Sequence, residues 1–297
     1  MTSEMQKSGH IALTYILSGR MRPMRKGKTI QAIKAELQHL TSLEELAQHP
    51  DFQDERKGVQ QAFVQRQRQL EKIALQQQKY RDMCIYETEI LNVQPEALIC
   101  GVDEVGRGPL AGPVVASAVI LQPGHDFVGI NDSKQLSVTQ RNLLNTSLKE
   151  QVRAWAVGVA TPEEIDEHNI YVATQIAMYR AIENLSVTPT HYLIDAMTLD
   201  HLTAPQQAII KGDAKSVSIA AASIIAKVYR DDLMAEYAKQ YPGYDFAQNA
   251  GYGTQKHLDG LKQYGVTPIH RKTFEPIKSW FQSFKRNRSA YKKFSKS

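Results

Sequence analysis

Four carboxylates fall where strands of an α/β protein would end. Asp103 and Glu104 follow the apolar run Ile99–Val102 and precede Gly106-Arg107-Gly108. Asp195 closes the strand candidate His191–Asp195, and Asp213 lies between the short strand candidate Gln207–Ile210 and a small-residue helix that opens at Ser216. Ligands of an α/β sheet gather where its strands end, so these three segments can converge. Two adjacent acids alone read as a solvated loop; Asp195 and Asp213 change that reading. Four carboxylates so close repel and resist ionising together. Hard divalent cations, Mg²⁺ or Mn²⁺, relieve the repulsion. Two such ions can clamp the attacking water and the leaving oxygen of a phosphodiester. Neighbouring residues inside a strand point to opposite faces, so Asp103 and Glu104 are expected at a strand end. There Gly106 and Gly108 let the backbone turn and a ligand approach closely. Arg107, between them, can fork onto a phosphate.

The elements that must position these residues follow from pattern. Strands are expected over Ala97–Val102, Val114–Leu121, Ala154–Ala160, His191–Asp195 and Gln207–Ile210. Ser137-x-x-Gln140 has the spacing of a capping box, and Thr161-Pro-Glu-Glu164 combines an N-cap, a first-turn proline and an acid. Helices follow both, and Ile170–Leu185 reads as helical. The helix Ser216–Gln240 is stopped by Pro242-Gly243. Consecutive strands followed by alternating helices and strands indicate an α/β layer with a mixed sheet flanked by helices. Residues 1–92 read instead as a small helical extension: Ile30, Ile33, Leu37 and Leu40 recur at helical spacing, and Val59, Phe63, Leu70, Ile73 and Ala74 form one narrow stripe. Within it, residues 1–28 are expected to be a disordered arm. Residues 93–297 form the catalytic domain, which ends in short helices and the basic tail Lys285–Ser297.

The 297 residues are 42% hydrophobic and 23% charged, which suits a globular chain. The net charge of +5 is unevenly spread: +2 over residues 1–97, −6 over 98–250 and +9 over 251–297. An acidic middle beside a basic end suits cations at one place and a polyanion at another. Two cysteines, Cys84 and Cys100, cannot build a disulfide framework and fit a reducing compartment. The longest uncharged run, 108–125, is broken by Pro109, Gly112 and Pro113, so no membrane span is expected. The apolar stretch Ile11–Leu17 is followed by Arg20, Arg22, Arg25, Lys26 and Lys28, not by a cleavage site. A cytoplasmic monomer is the expectation.

Three familiar patterns fail. Gly27-Lys28-Thr29 lacks the P-loop glycine five residues earlier, where Arg22 stands. Gly106-x-Gly108-x-x-Ala111 fits a dinucleotide fingerprint only formally, because Pro113 and a β-branched run follow where a helix is required. No zinc-protease helix, paired Cys-x-x-Cys or nucleophile elbow occurs.

One resemblance is specific. Asp103-Glu-Val-Gly-Arg-Gly-Pro-Leu-Ala-Gly-Pro-Val114 is similar to the opening motif of the bacterial ribonuclease HII family. Asp132-Ser-Lys134, Asp195, Gly212-Asp213-Ala-Lys-Ser216, Ile219–Asp231, Gly251-Tyr252-Gly-Thr254, His257 and His270-Arg271 follow in the family's order over about residues 97–275. The resemblance implies a ribonuclease H-like fold. It implies cutting of the RNA strand of RNA–DNA hybrids, and of DNA duplexes 5′ to a single embedded ribonucleotide, leaving 3′-hydroxyl and 5′-phosphate ends with Mn²⁺ or Mg²⁺. Asp103, Glu104, Asp195 and Asp213 match the metal-binding carboxylates. Gly106, Arg107 and Gly108 match the loop that senses the 2′-hydroxyl, the group that separates RNA from DNA at one position. Tyr252 matches the tyrosine that stacks on the junction sugar, and Lys134 a phosphate-contacting lysine. Ser216 and Ser223 are further candidates for phosphate contacts. The N-terminal extension resembles that of Gram-positive relatives, whereas the related ribonuclease HIII family differs at the position of Arg107 and carries a sheet-containing N-terminal domain. Two other readings, a resolvase of the same fold and a non-catalytic binding module, fit the Gly-Arg-Gly loop, Tyr252 and the full carboxylate set less well.

Overall fold

The computed structural model describes residues 28–280. The arm expected over 1–28, apart from Lys28, and the tail Lys285–Ser297 lie outside those residues. The chain divides into two compact units, with the boundary after Ile73.

The first unit holds α1 (Ile30–Gln38), α2 (Leu43–Ala47) and the opening of α3 (Lys57–Met83). Thr29 caps α1 by accepting from the Ala32 N–H, and Ser42 caps α2 by accepting from the Glu45 N–H. Ile33, Leu37, Leu46, Val59, Phe63 and Leu70 form its core. The expected stripe therefore holds at Val59, Phe63 and Leu70 but fails at Ile73, which is 42% exposed, and at Ala74. The reason is length: nine residues of α1 span about 13 Å, whereas α3 runs about 40 Å and outreaches its partners.

The second unit contains a five-stranded sheet. Its strands are β1 (Ile99–Val105), β2 (Val114–Ile120), β3 (Ala154–Ala160), β4 (His191–Asp195) and β5 (Gln206–Ile209), in the order β3-β2-β1-β4-β5. β2 is antiparallel to β1 and β3, while β4 and β5 continue parallel to β1. The C-terminal ends of β1, β4 and β5 therefore share one edge. The flanking helices are α4 (Ile85–Val93), α5 (Val138–Gln151), α6 (Pro162–Glu183) and α7 (Val217–Gln240), followed by the short α8 (Phe246–Asn249) and α9 (Gln255–Tyr264). The capping box predicted at Ser137 is formed, and the N-cap predicted at Thr161 is also a full capping box with Glu164. Within α6, Asn169 breaks the helix at φ 71°, and its Oδ1 accepts from the Tyr171 and Val172 N–H groups to restart it.

The two faces of the sheet are covered separately. Cys100, Val102, Ala116, Ala118 and Ile194 pack with Ala173, Ala177 and Met178 of α6. Val119 packs with Ala220, Ala221, Ile224 and Ile225 of α7. Small residues let α7 come close: a Cβ on Gly101 would fall 2.1 Å from the backbone of Ser218. The boundary after Ile73 precedes the expected one at residue 92. Tyr86 and Ile90 of α4 pack on Ile99, Leu193, Ile209 and Ile219, and Met83 joins the α7 cluster, so this segment belongs to the sheet unit.

Candidate active site

The paired acids stand at the end of β1, as expected, but still within its ladder rather than after it. β1 continues to Val105, with Asp103 opposite Ser117 and Glu104 opposite Ala116. Asp103 shares the α7 face with Gly101. On β4, Asp195 shares that face with Leu193, and neighbouring strands lie about 4.8 Å apart. The pleat turns Glu104 to the opposite face, yet its carboxylate still meets the other two. Oxygens of Asp103, Glu104 and Asp195 all lie within 4.8 Å of one another. The Glu104 N–H donates to Asp103 Oδ1 at 2.8 Å, and the Gly212 N–H donates to Asp195 Oδ1 at 2.6 Å.

Asp213 stands outside this close group. It sits on the 3₁₀ turn Gly212–Ala214, within hydrogen-bond reach of Asp132, and it feels the charge of Asp195. Asp132 is thus a fifth carboxylate at the rim, one to which the sequence reading gave no role.

Electrostatics agree with a cation-binding site. Burial, and then the charges of Glu104 and Asp195, push the Asp103 carboxyl well above the ordinary carboxylate range. Burial also raises Glu104, against the lowering effect of Arg107, whose Nη1 lies 3.6 Å from Glu104 Oε1. Burial followed by the charges of Asp132 and Asp195 raises Asp213. A divalent cation would supply the missing positive charge, and three convergent carboxylates are its natural hard-oxygen donors.

The other predicted residues are gathered at the same edge. Gly106 has φ +94°, and a Cβ there would collide with the Arg230 side chain, so only glycine fits. Gly108 lies against Tyr252: a Cβ on it would sit 3.6 Å from the Tyr252 ring, which is 49% exposed. Lys134 is exposed, on a loop held by its own N–H to Asp132 Oδ1 and by Arg141 to the Ser133 carbonyl. Partial burial lowers its ammonium, but the charges of Asp132, Asp103 and Asp213 outweigh this and leave it above its ordinary value. The two serines behave differently from expectation. Ser216 is fully buried; its hydroxyl donates to Glu87 Oε1 at 2.6 Å and accepts from the Ile219 N–H, so it is unavailable to a phosphate. Ser223 is buried, pairs with Ser133 Oγ at 3.0 Å and stands near enough to Asp103 to lower its carboxyl slightly against the larger raising effects.

Sequence reasoning missed two supporting arginines. Arg230 donates to the carbonyls of Pro113, Ala250 and Ala111, and Arg271 to those of Gly112, Arg107 and Gly106. Both are buried, and together they clamp the Gly106–Pro113 loop beside the segment that bears Tyr252. Both arginines lie in family-like motifs, but nothing in the sequence signals that three carbonyls apiece replace a carboxylate partner.

A 3-2-1-4-5 mixed sheet with an acidic cluster where its parallel strands end defines a metal-dependent nuclease of the ribonuclease H-like fold. The family model described as ribonuclease HII matches residues 100–277, and that of the ribonuclease HII N-terminal domain matches 29–91. The chain is 57% identical over 252 residues to ribonuclease HII of Staphylococcus saprophyticus, covering 85% of this chain and 98% of that protein. It is also 57% identical over 251 residues to ribonuclease HII of Staphylococcus aureus, covering 84% and 98%. Among solved structures it resembles the ribonuclease H2 of Pyrococcus horikoshii OT3, with TM-score 0.55 and 30% identity over 63% of this chain and 98% of that one. The chain belongs to the ribonuclease HII family. It is a divalent-metal-dependent endoribonuclease acting on RNA–DNA hybrids. Among the described residues, no helix is long and apolar enough to cross a membrane.

Proposed function

We propose that this enzyme also cuts duplex DNA 5′ to a single embedded ribonucleotide, leaving 3′-hydroxyl and 5′-phosphate ends, with Mn²⁺ or Mg²⁺. The observation that carries the reading is the adjacency of two kinds of site. The Asp103–Glu104–Asp195 cluster lies at the same sheet edge as the Gly106–Gly108 loop, which abuts Tyr252. One part suits phosphodiester hydrolysis and the other suits inspection of a sugar.

Asp103, Glu104 and Asp195 hold the cations, with Asp213 completing the set from its 3₁₀ turn. Cations held there would activate a water and neutralise the charge that develops on the departing 3′-oxygen. Gly106, Arg107 and Gly108 present backbone to the scissile ribose and sense its 2′-hydroxyl. Arg107, leaning on Glu104, joins that loop to the acidic group. The Tyr252 ring stacks on the next sugar and favours a deoxyribose, because a further hydroxyl would crowd it. Lys134 binds a phosphate, supported by its exposure and its position among the carboxylates. Residues 93–297 carry the catalytic machinery and residues 1–92 form an extension that aids substrate binding, its last part, 74–92, packed with the sheet unit. The enzyme acts as a cytoplasmic monomer in this reading, the compartment supported by its two unpaired cysteines.

The test is Tyr252→Ala. It should reduce cutting at a single ribonucleotide more than cutting of a long hybrid. Equal losses on both substrates would remove the junction role.

A further inference from the structure

Two histidines outside the acidic site lie one behind the other beneath Tyr252. His257, in the first turn of α9, and His270 are both fully buried. His257 Nδ1 is 2.9 Å from the Tyr252 carbonyl oxygen. His257 Nε2 is 3.0 Å from His270 Nε2. His270 Nδ1 is 2.9 Å from the Thr267 N and 2.7 Å from Thr267 Oγ1.

These partners fix the protons. A carbonyl only accepts, so His257 Nδ1 carries a hydrogen. A backbone N–H only donates, so His270 Nδ1 is bare. A neutral imidazole has one N–H, so that of His270 is on Nε2 and points at the bare Nε2 of His257. The chain of donors runs one way, from Thr267 through His270 and His257 to Tyr252. Protonating either ring would set two N–H groups, or an N–H and the Thr267 amide, face to face. Burial favours the neutral forms: it lowers His257, and it brings His270, with the neighbouring His257 adding, down to about 3. Tyr244 and Phe246 enclose the pair, with ring centroids 5.2 Å from His270 and 5.1 Å from His257 respectively.

The chain ends on the segment that matters for substrate. The Tyr252 carbonyl also accepts from the Thr254 N–H at 2.8 Å, and the Tyr252 N–H donates to the Asn249 carbonyl at 2.9 Å. The backbone of Tyr252 is therefore pinned while its ring stays half-exposed beside Gly108.

We propose that His257 and His270 are positioning residues, a relay of two neutral imidazoles that sets the Tyr252 ring against the sugar next to the scissile bond. The inference rests on the reading of Tyr252 as a substrate contact. A buried imidazole pair can do this without bringing net charge under the loop, and each planar ring holds its donor and acceptor in fixed directions.

The experiment has two arms. In the full-length enzyme labelled with ¹⁵N-histidine, long-range proton–nitrogen spectra at neutral pH, assigned through ring-to-backbone correlations, should show His257 as the Nδ1–H tautomer and His270 as the Nε2–H tautomer. An Nε2–H tautomer at His257, or a cationic ring at either position, overturns the relay. The second arm is kinetic. His270→Leu should raise KM for a one-ribonucleotide duplex about tenfold, the worth of one buried hydrogen bond, with kcat on a long hybrid changed by less than about twofold. His270→Gln, which keeps a donor near the Nε2 position, should restore most of that KM. Equal losses in both variants, or no loss in His270→Leu where Tyr252→Ala does lose selectivity, overturns the positioning role. Unchanged selectivity in Tyr252→Ala would instead overturn the reading of Tyr252, and the tautomers, read without substrate, separate that outcome from failure of the relay.

Discussion

The buried guanidinium of Arg271 donates through Nη1 to the backbone carbonyl of Arg107 at 2.8 Å, so one arginine is spent on holding another. Nε and Nη2 take the Gly112 and Gly106 carbonyls in the same way. With its carbonyl drawn inward, Arg107 keeps its side chain at the surface, beside Glu104. The fork geometry of guanidinium is what allows three carbonyls to be met at once.

Arg271→Lys keeps the charge and loses the fork. Carbonyls left without donors in a buried site cost about 1–3 kcal/mol. At about 2–4 °C per kcal/mol for a domain of this size, thermal unfolding should fall by several degrees. Cleavage at a single ribonucleotide should fall about tenfold or more, while circular dichroism shows the same helix content. An unchanged melting temperature with unchanged cleavage would remove the clamp from the account.

Asp103→Asn should separate stability from activity. The raised Asp103 carboxyl means that the folded state holds a proton that the unfolded chain gives up earlier. Its contribution is intact below the ordinary carboxylate value and is lost as pH rises through the raised one. Without divalent ions at neutral pH, the asparagine variant should therefore melt higher than the wild type, and the gap should close towards pH 4. Cleavage should be nearly abolished. A variant that melts lower at neutral pH would contradict the repulsion inferred among Asp103, Glu104 and Asp195.

Glu87 ties α4 to the start of α7. Its Oε1 accepts from Ser216 Oγ and the Ser218 N–H, and burial raises its carboxyl. Glu87→Ala strands both donors and should cost about 1–3 kcal/mol. Glu87→Gln keeps an acceptor and cannot ionise, so it should gain on the wild type as pH rises above the ordinary glutamate value. Denaturant melts of the three proteins at pH 5 and pH 8 check the sign.

Much of this was legible in local sequence. The helix starts at Ser137, Thr161 and Ser216 could be read because a cap acts within three residues. The five strands could be read from β-branched runs and their breakers. Asp195 could be read because it closes such a run. What escaped depends on distance along the chain. β1 outruns its apolar pattern, which stops at Val102, because only pairing with β2 extends it through Glu104 and Val105. Five of the six carbonyl partners of Arg230 and Arg271 lie 117 or more residues away, and the sixth, Ala250, lies 20 away across a turn, so a buried arginine looks like any motif arginine in the sequence. Distance also hides the role of Ser216: Glu87, which takes its hydroxyl, is 129 residues distant. Asp213 and Asp195 both follow strands, but only a folded 3₁₀ turn decides that Asp213 faces Asp132 and stands apart from the three clustered acids.

The most direct test of the central claim is cleavage of a DNA duplex containing one ribonucleotide, by wild type and Asp103→Asn, with Mn²⁺, Mg²⁺ or EDTA. A single cut 5′ to the ribonucleotide, dependent on the metal and absent from the variant, is the predicted result. Cleavage of long hybrids with no cut at the single ribonucleotide would contradict the role given to the Gly106–Gly108 loop and Tyr252. Cutting by Asp103→Asn at the wild-type rate would contradict the carboxylate site itself.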